Sequence, residues 1–397
     1  MTRRFDAVVV GAGPAGAVAA MVLAAAGRSV ALLDRERLPR YKACGGGVVE
    51  IAQAALPCRR PAASDLPLIP VRRLIVSAPG RPAIQVDRPA PVICMVMRAD
   101  FDRYLAERAA EAGARLLEGT AVLDIEGGSG RLTLRTTAGP FGATAIVGAD
   151  GAESRVARCL PGAAGRGAPL LGVALEGELG ARPGTAWHGD RQDGAGAARF
   201  DLGAVDGGYG WVFPKAAGIS AGVFTRHRIC PGLRAAYRSY LERTSLGAGG
   251  AREERLTGHR IPVAPRPVRA AGGVLLAGDA AGLADPLTGE GISYAIRSGR
   301  LAAEAILAAA EDPPSAARRY EAALGAVVLP EIRAASRLAA ILDAAPRLSY
   351  RCLERRGWIA EAMVDVFLGR RTYGALLAQA LRRPWRLLNR SAARTPS

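Results

Sequence analysis

Between Phe5 and Asp34 the chain carries a pattern that few folds accommodate. Phe5 to Val10 is a short β-favouring run, and Gly11-Ala12-Gly13-Pro14-Ala15-Gly16 follows at once. An alanine-rich stretch then runs to Ala26, Gly27 stops it, and Ser29 to Leu33 is a second apolar run ending at Asp34. Strand, glycine turn, helix, strand and acid in that order read as a dinucleotide-binding βαβ unit. The same stretch imitates a membrane span, because Ala7 to Gly27 carries no charge and follows Arg3-Arg4. Three glycines and a proline in its first half argue against a lipid-facing helix.

The chemistry follows from the spacing. Gly11 permits a tight turn, Gly13 lets backbone approach a pyrophosphate, and Gly16 lets the helix pack closely on the sheet. The helix N-terminus, with Pro14 and Ala15 in its first turn, offers free N–H groups to phosphate. Asp34 lies 18 residues beyond Gly16, where a carboxylate accepts hydrogen bonds from a ribose diol, and Arg35 follows it. This unit alone does not choose between NAD and FAD.

Two later segments bear on that choice. Val274 to Ala277 reads as a buried strand, followed by Gly278-Asp279, then Asp285-Pro286-Leu287-Thr288-Gly289-Glu290-Gly291 and a helix from about Ile292 to Ala310. Gly148-Ala149-Asp150-Gly151 again follows an apolar strand. The three segments in this order resemble the flavoprotein superfamily that includes para-hydroxybenzoate hydroxylase. The resemblance implies an FAD site built from Gly11, Ala12, Gly13, Pro14, Ala15, Gly16, Asp34 and Arg35, from Asp279, Gly289, Gly291 and Ile292, and from Asp150 and Gly151. It also implies Arg98 near the flavin and the backbone of Ala121-Val122 at the adenine.

Arg40-Tyr41-Lys42-Ala43-Cys44-Gly45-Gly46-Gly47 and Gly208-Tyr209-Gly210-Trp211-Val212-Phe213-Pro214-Lys215 narrow the likeness. Together they resemble the geranylgeranyl reductase family of prenyl-reducing flavoenzymes. Glycines suit close approach to a flat ring system, so Cys44, Gly45 and Gly46 are expected at the flavin. Cys44 is also a candidate for proton delivery. Tyr209 and Trp211 alternate along an expected strand and share a face. With Phe213 they form an aromatic stripe suited to an isoprenoid channel, and both join Cys44 as candidate catalytic residues. Lys215 is expected at a polar head group, and Lys42 at a flavin phosphate or a diphosphate substrate.

Composition limits the rest. Half the residues are hydrophobic and 22% are charged, enough for a sizeable core. Six scattered Cys without a C-x-x-C pair suggest reduced thiols in a cytoplasmic protein. Three separated His make a metal site unexpected. The net charge is +17, and beyond Asp365 there are seven Arg and no acid. Tyr373 to Arg390 interleaves Leu376, Leu377, Leu381, Trp385, Leu387 and Leu388 with arginines, a pattern suited to peripheral contact with an anionic membrane on its inner face. No nucleic-acid recognition motif accompanies the charge.

The expected fold is α/β: a Rossmann-type FAD-binding domain (about 1–70, 98–165 and 266–310), an inserted antiparallel β substrate domain (71–97 and 166–265) and a C-terminal helical region (311–397). The expected activity is saturation of C=C bonds of a geranylgeranyl or other isoprenoid group on a prenylated lipid or pigment, with NADPH or another reductant as electron donor. An FAD-dependent monooxygenase on an apolar substrate and a flavin-binding membrane accessory protein without turnover are the alternatives.

Overall fold

The computed structural model describes residues 2–128, 131–160, 171–180, 196–227, 230–244, 246, 253–309, 312–355 and 357–382. Its first sheet runs Ala270–Ala271, Val274–Leu276, Gly139–Gly148, Arg3–Val10, Val30–Leu33 and Arg115–Leu117. The strands from Val274–Leu276 to Arg115–Leu117 pair in parallel. Val122–Gly128 and Arg131–Thr136 extend Gly139–Gly148 as an antiparallel ribbon. The central strands are buried on both faces, so they read as continuous apolar runs rather than alternating ones.

The helix Pro14–Ala25 packs across this sheet and is buried nearly all round. That explains its resemblance to a membrane span: a helix enclosed by protein is apolar on every face. No described helix is long and apolar enough to cross a membrane.

The second sheet runs Glu253–Pro262, Leu171–Gly180, Gly218–Thr225, Gly208–Lys215, Gly196–Leu202, Leu68–Ser77, Ile93–Val96 and Gly47–Val49, with Ile84–Asp87 beside Leu68–Ser77. Its pairings are antiparallel except Gly196–Leu202 with Leu68–Ser77. This sheet reaches further back along the chain than residue 71, because Gly47–Val49 pairs with Ile93–Val96. Five helices from Pro313 to Arg382 follow. Salt bridges Arg81–Glu354 and Arg88–Glu361 tie them to the loops flanking the strand Ile84–Asp87 of the second sheet.

The C-terminal helix Tyr373–Arg382 turns Tyr373, Leu376 and Leu377 inward against Ala334, Ala335 and Ala362. These residues therefore do not form an outward apolar face, contrary to the amphipathic expectation, whereas Leu381 is exposed. Trp385, Leu387 and Leu388 lie outside the described residues.

Candidate active site

A cavity of about 1350 Å³ opens where the first sheet's strand ends face the second sheet. Of the residues expected at the cofactor, all line it except Ala12 and Gly16, which stand behind it.

At one end is the first glycine turn. Gly11 adopts a left-handed φ of 99°, and a Cβ there would lie 2.4 Å from the Ala149 carbonyl oxygen. A Cβ on Gly16 would lie 1.8 Å from the Gly11 carbonyl oxygen, so only glycine lets the helix start this close to the strand. Gly13 differs. Its Cβ would meet nothing nearer than Arg40 at 3.8 Å, with Arg98 and Asp102 at 4.0 Å. Its missing side chain leaves open space between the helix N-terminus and two guanidinium groups.

Asp34 is buried and braces this turn. One carboxylate oxygen accepts from the Ala12 N–H at 2.9 Å, the other from the Glu36 N–H at 3.0 Å. Arg40 bridges Asp34 and Asp102, while Arg98 donates twice to Asp102 at 2.8 and 2.9 Å. Burial opposes the Arg98 charge, but Asp102 and the adjacent Cys44 sulfur outweigh it and keep the guanidinium protonated. Burial likewise pushes Asp102 up, and Arg98 and Arg40 pull it below the usual carboxylate range.

The other expected residues divide. Ala121 lines the cavity, but its N–H and carbonyl are already bonded to Thr137. Asp150 accepts from the Ser154 hydroxyl and from the N–H groups of Arg155 and Val156, capping the short helix Arg155–Cys159. Burial nevertheless raises its pKa. Asp279 pairs with Lys42 at 3.6 Å. Gly289 has a left-handed φ of 70°, and Gly291 starts the helix Ile292–Ala308, whose Ser293 N–H donates to the Glu290 carboxyl at 2.7 Å. This second helix start lines the cavity.

The second sheet supplies the aromatic wall. Tyr209 and Trp211 share a face with ring centroids 6.3 Å apart, and Trp211 and Phe213 stand 6.1 Å apart. Phe200 and Phe224, which the sequence did not single out, complete it at 5.1 Å from Phe213 and 5.6 Å from Tyr209. The Tyr209 hydroxyl donates to the Thr288 carbonyl, and burial, then Asp285, raises its pKa. This joins the aromatic wall to the Thr288–Gly291 turn.

Cys44 sits where wall and turn meet, its Sγ 3.4 Å from the Gly46 N–H. The glycines after it answer to the chain's own packing. A Cβ on Gly45 would lie 2.8 Å from the Phe213 ring, and one on Gly46 2.0 Å from the Val96 carbonyl oxygen. Lys215 corrects an expectation. It is buried at 4% exposure and donates to the Gly45 and Val96 carbonyls at 2.7 Å each, so it meets backbone rather than a head group.

Several cavity residues escaped sequence reading. Glu176 and Glu290 are each pushed up to about 7, chiefly by burial. His259 is pushed down to about 4 by burial and then Lys42, and its Nε2 has no hydrogen-bond partner. No metal-ligating cluster exists among the described residues.

These features fit FAD. A helix N-terminus at Gly13 without a side-chain cap, open space there flanked by guanidinium groups and a buried acid at the second strand's end suit a dinucleotide. Residues 4–168 match the FAD binding domain family. The chain is 31% identical to the chloroplastic geranylgeranyl diphosphate reductase of Oryza sativa subsp. japonica over 408 residues, covering 94% of this chain and 81% of that protein. It is 34% identical to the menaquinone reductase of Mycolicibacterium smegmatis over 321 residues, covering 77% and 76%. Among solved structures it resembles a geranylgeranyl bacteriochlorophyll reductase-like protein of Thermoplasma acidophilum. There the TM-score is 0.73, the identity 24%, and the coverage 86% of this chain and 88% of that one.

Proposed function

The chain belongs to the geranylgeranyl reductase family of FAD-binding proteins, and from this we propose that it is an FAD-dependent reductase that saturates C=C bonds of an isoprenoid group. The observation that carries the reading is the junction at Cys44-Gly45-Gly46. It shares one cavity with an aromatic wall suited to a prenyl chain and with the helix starts at Gly13 and Gly291.

Bound and reduced, FAD supplies the hydride. The protein does the rest. The helix start at Gly13–Ala15 and the guanidinium of Arg40 would hold the pyrophosphate, and Asp34 the ribose. Asp279, Lys42 and the Gly289–Ile292 turn would hold the other half. Tyr209, Trp211, Phe213, Phe200 and Phe224 would align the alkene and keep water out. On this reading the first sheet with its helices forms the FAD-binding unit, the second sheet forms the substrate-binding unit, and the C-terminal helices form a third region.

Three finer points belong to the same proposal. The electron donor is NADPH or another reductant reaching the Asp150-Gly151 side. The substrate is a prenylated lipid or pigment, with geranylgeranyl diphosphate and a menaquinone as the first two to try. The protein works at the inner face of a membrane, held by its arginine-rich end, whose seven Arg beyond Asp365 support that contact.

The test is product mass. Chemically reduced holoprotein is mixed with geranylgeranyl diphosphate or a menaquinol, its ring already reduced, without oxygen. Gain of hydrogen pairs is expected. Gain of an oxygen atom, only when air is admitted, would transfer the protein to the monooxygenases.

A further inference from the structure

A buried chain of side chains leads from the aromatic wall to a cavity carboxyl. Trp211, Ser220 and Glu176 come from three neighbouring strands of the second sheet. The Trp211 indole N–H donates to Ser220 Oγ at 3.1 Å, and the Ser220 hydroxyl donates to Glu176 Oε1 at 2.9 Å. Ser220 is fully buried, while Glu176 lines the cavity at 2% exposure.

Other cavity carboxyls are committed elsewhere. Asp34 braces the glycine turn, Asp150 caps a helix, Asp279 faces Lys42, and both oxygens of Glu290 accept from Ser293. Glu176 instead sits among the rings that the functional reading gives to the alkene.

Saturating a double bond requires a proton as well as a hydride. We propose that Glu176 is the proton donor of the saturating step. The inference rests on the reductase reading. The π bond opens, one carbon takes the hydride from the reduced cofactor, and the π electron pair takes the Glu176 carboxyl proton at the neighbouring carbon. Glu176 is left as a carboxylate, and water returns its proton before the next turnover.

The surroundings suit both states. Burial is the largest influence and favours the neutral acid, and Glu178, two residues along the same strand, adds to it. Lys215 on the Gly208–Lys215 strand and the Ser220 hydroxyl act the other way and stabilise the carboxylate left after transfer. Across the cavity Tyr41, pushed up to about 12, stands beneath Arg255 at 4.2 Å. His259, on the Glu253–Pro262 strand, faces Lys42 and Asp279 instead. The balance places the Glu176 carboxyl at about 7.

The experiment follows saturated product from a single turnover of pre-reduced holoprotein with geranylgeranyl diphosphate or a menaquinol, without oxygen, from about pH 5.5 to 9. FAD and substrate dissociation constants are measured alongside. Wild-type product formation should fall tenfold per pH unit above about 7. Glu176→Gln should be slower by on the order of 100-fold, the usual range for losing a general acid, and should lose that limb while binding FAD and substrate as before. Ser220→Ala keeps the acid but removes a donor that favours its ionised form. Its limb should move to higher pH, which decides the matter even if Glu176→Gln does not fold. An unchanged rate and limb in Glu176→Gln, or an unmoved limb in Ser220→Ala, overturns the proposal alone. A wild-type protein that binds FAD but saturates neither substrate would sink the reductase reading and this proposal with it.

Discussion

The Lys215 ammonium holds the Gly45 carbonyl at 2.7 Å across 170 residues of sequence, and the Val96 carbonyl at the same distance. It thereby clamps the turn after Cys44 to the second sheet. Burial lowers the Lys215 pKa, with Glu176 and Glu178 opposing.

Lys215→Met should therefore loosen that turn. Each carbonyl left buried without a donor costs roughly 1–3 kcal/mol, partly offset by no longer burying an ammonium. The expected net loss is about 2 kcal/mol in urea unfolding. Faster alkylation of Cys44, read by peptide mass mapping, should accompany it. Unchanged stability and reactivity would show that the clamp is not a support.

Gly13 and Gly16 should respond in opposite ways. Gly16→Ala puts a Cβ 1.8 Å from the Gly11 oxygen and should unfold the turn, lowering apoprotein stability and FAD content together. Gly13→Ala meets nothing within 3.8 Å. It should cost about 1 kcal/mol or less of stability as a helix-start change, yet weaken FAD binding measured by fluorescence quenching. Equal behaviour of the two variants would contradict the placement of the pyrophosphate at Gly13.

The βαβ unit with its glycine turn and acid was legible because its signal is local. Gly11, Gly13, Gly16 and Asp34 fall within one βαβ unit, where spacing dictates geometry. The aromatic stripe Tyr209, Trp211, Phe213 was legible for the same reason, since alternation on one strand puts its side chains on one face. What lay across strands was not. Glu176 and Ser220 meet only through the register of two antiparallel strands 44 residues apart. Phe200 and Phe224 join the stripe by pairing on either side of it. Lys215 was misplaced because a lysine ending a strand gives no sign of whether it turns inward. Nor does a basic, leucine-rich segment reveal that Leu376 and Leu377 are buried.

Glu290 should make stability depend on pH. Its carboxyl is raised in the folded protein to about 7 from 4.5, chiefly by burial. Between those values the folded state binds the proton and the unfolded state releases it, so stability falls as pH rises from about 4.5 to about 7. The penalty above pH 7 is about 2–4 kcal/mol. Glu290→Gln lacks it, so the variant should gain on the wild type by that amount between pH 5 and 8 in urea titrations. A pH-independent difference would place the Glu290 pKa near its ordinary value.

Tyr373 ties the last described helix to the Asp285–Gly291 turn. Its hydroxyl donates to Asp285 at 2.6 Å, and Asp285 in turn accepts from the Leu287 and Thr288 N–H groups. Burial already raises the Asp285 pKa. Tyr373→Phe removes a donor from this carboxyl and should cost roughly 1–3 kcal/mol. FAD affinity should weaken with it, because the same aspartate shapes the turn leading to Gly289. Lost stability with unchanged FAD affinity would mean that the helix and the turn are independent.

The central claim is that the cavity brings a prenyl double bond to reduced FAD. Its most direct measurement is optical. Reduced holoprotein is mixed under argon with geranylgeranyl diphosphate or a menaquinol, whose ring is already reduced, and flavin absorbance is followed with time. The account predicts reoxidation that requires the isoprenoid, proceeds without oxygen and matches one saturated bond per flavin. Flavin that stays reduced with either isoprenoid until air enters would contradict it.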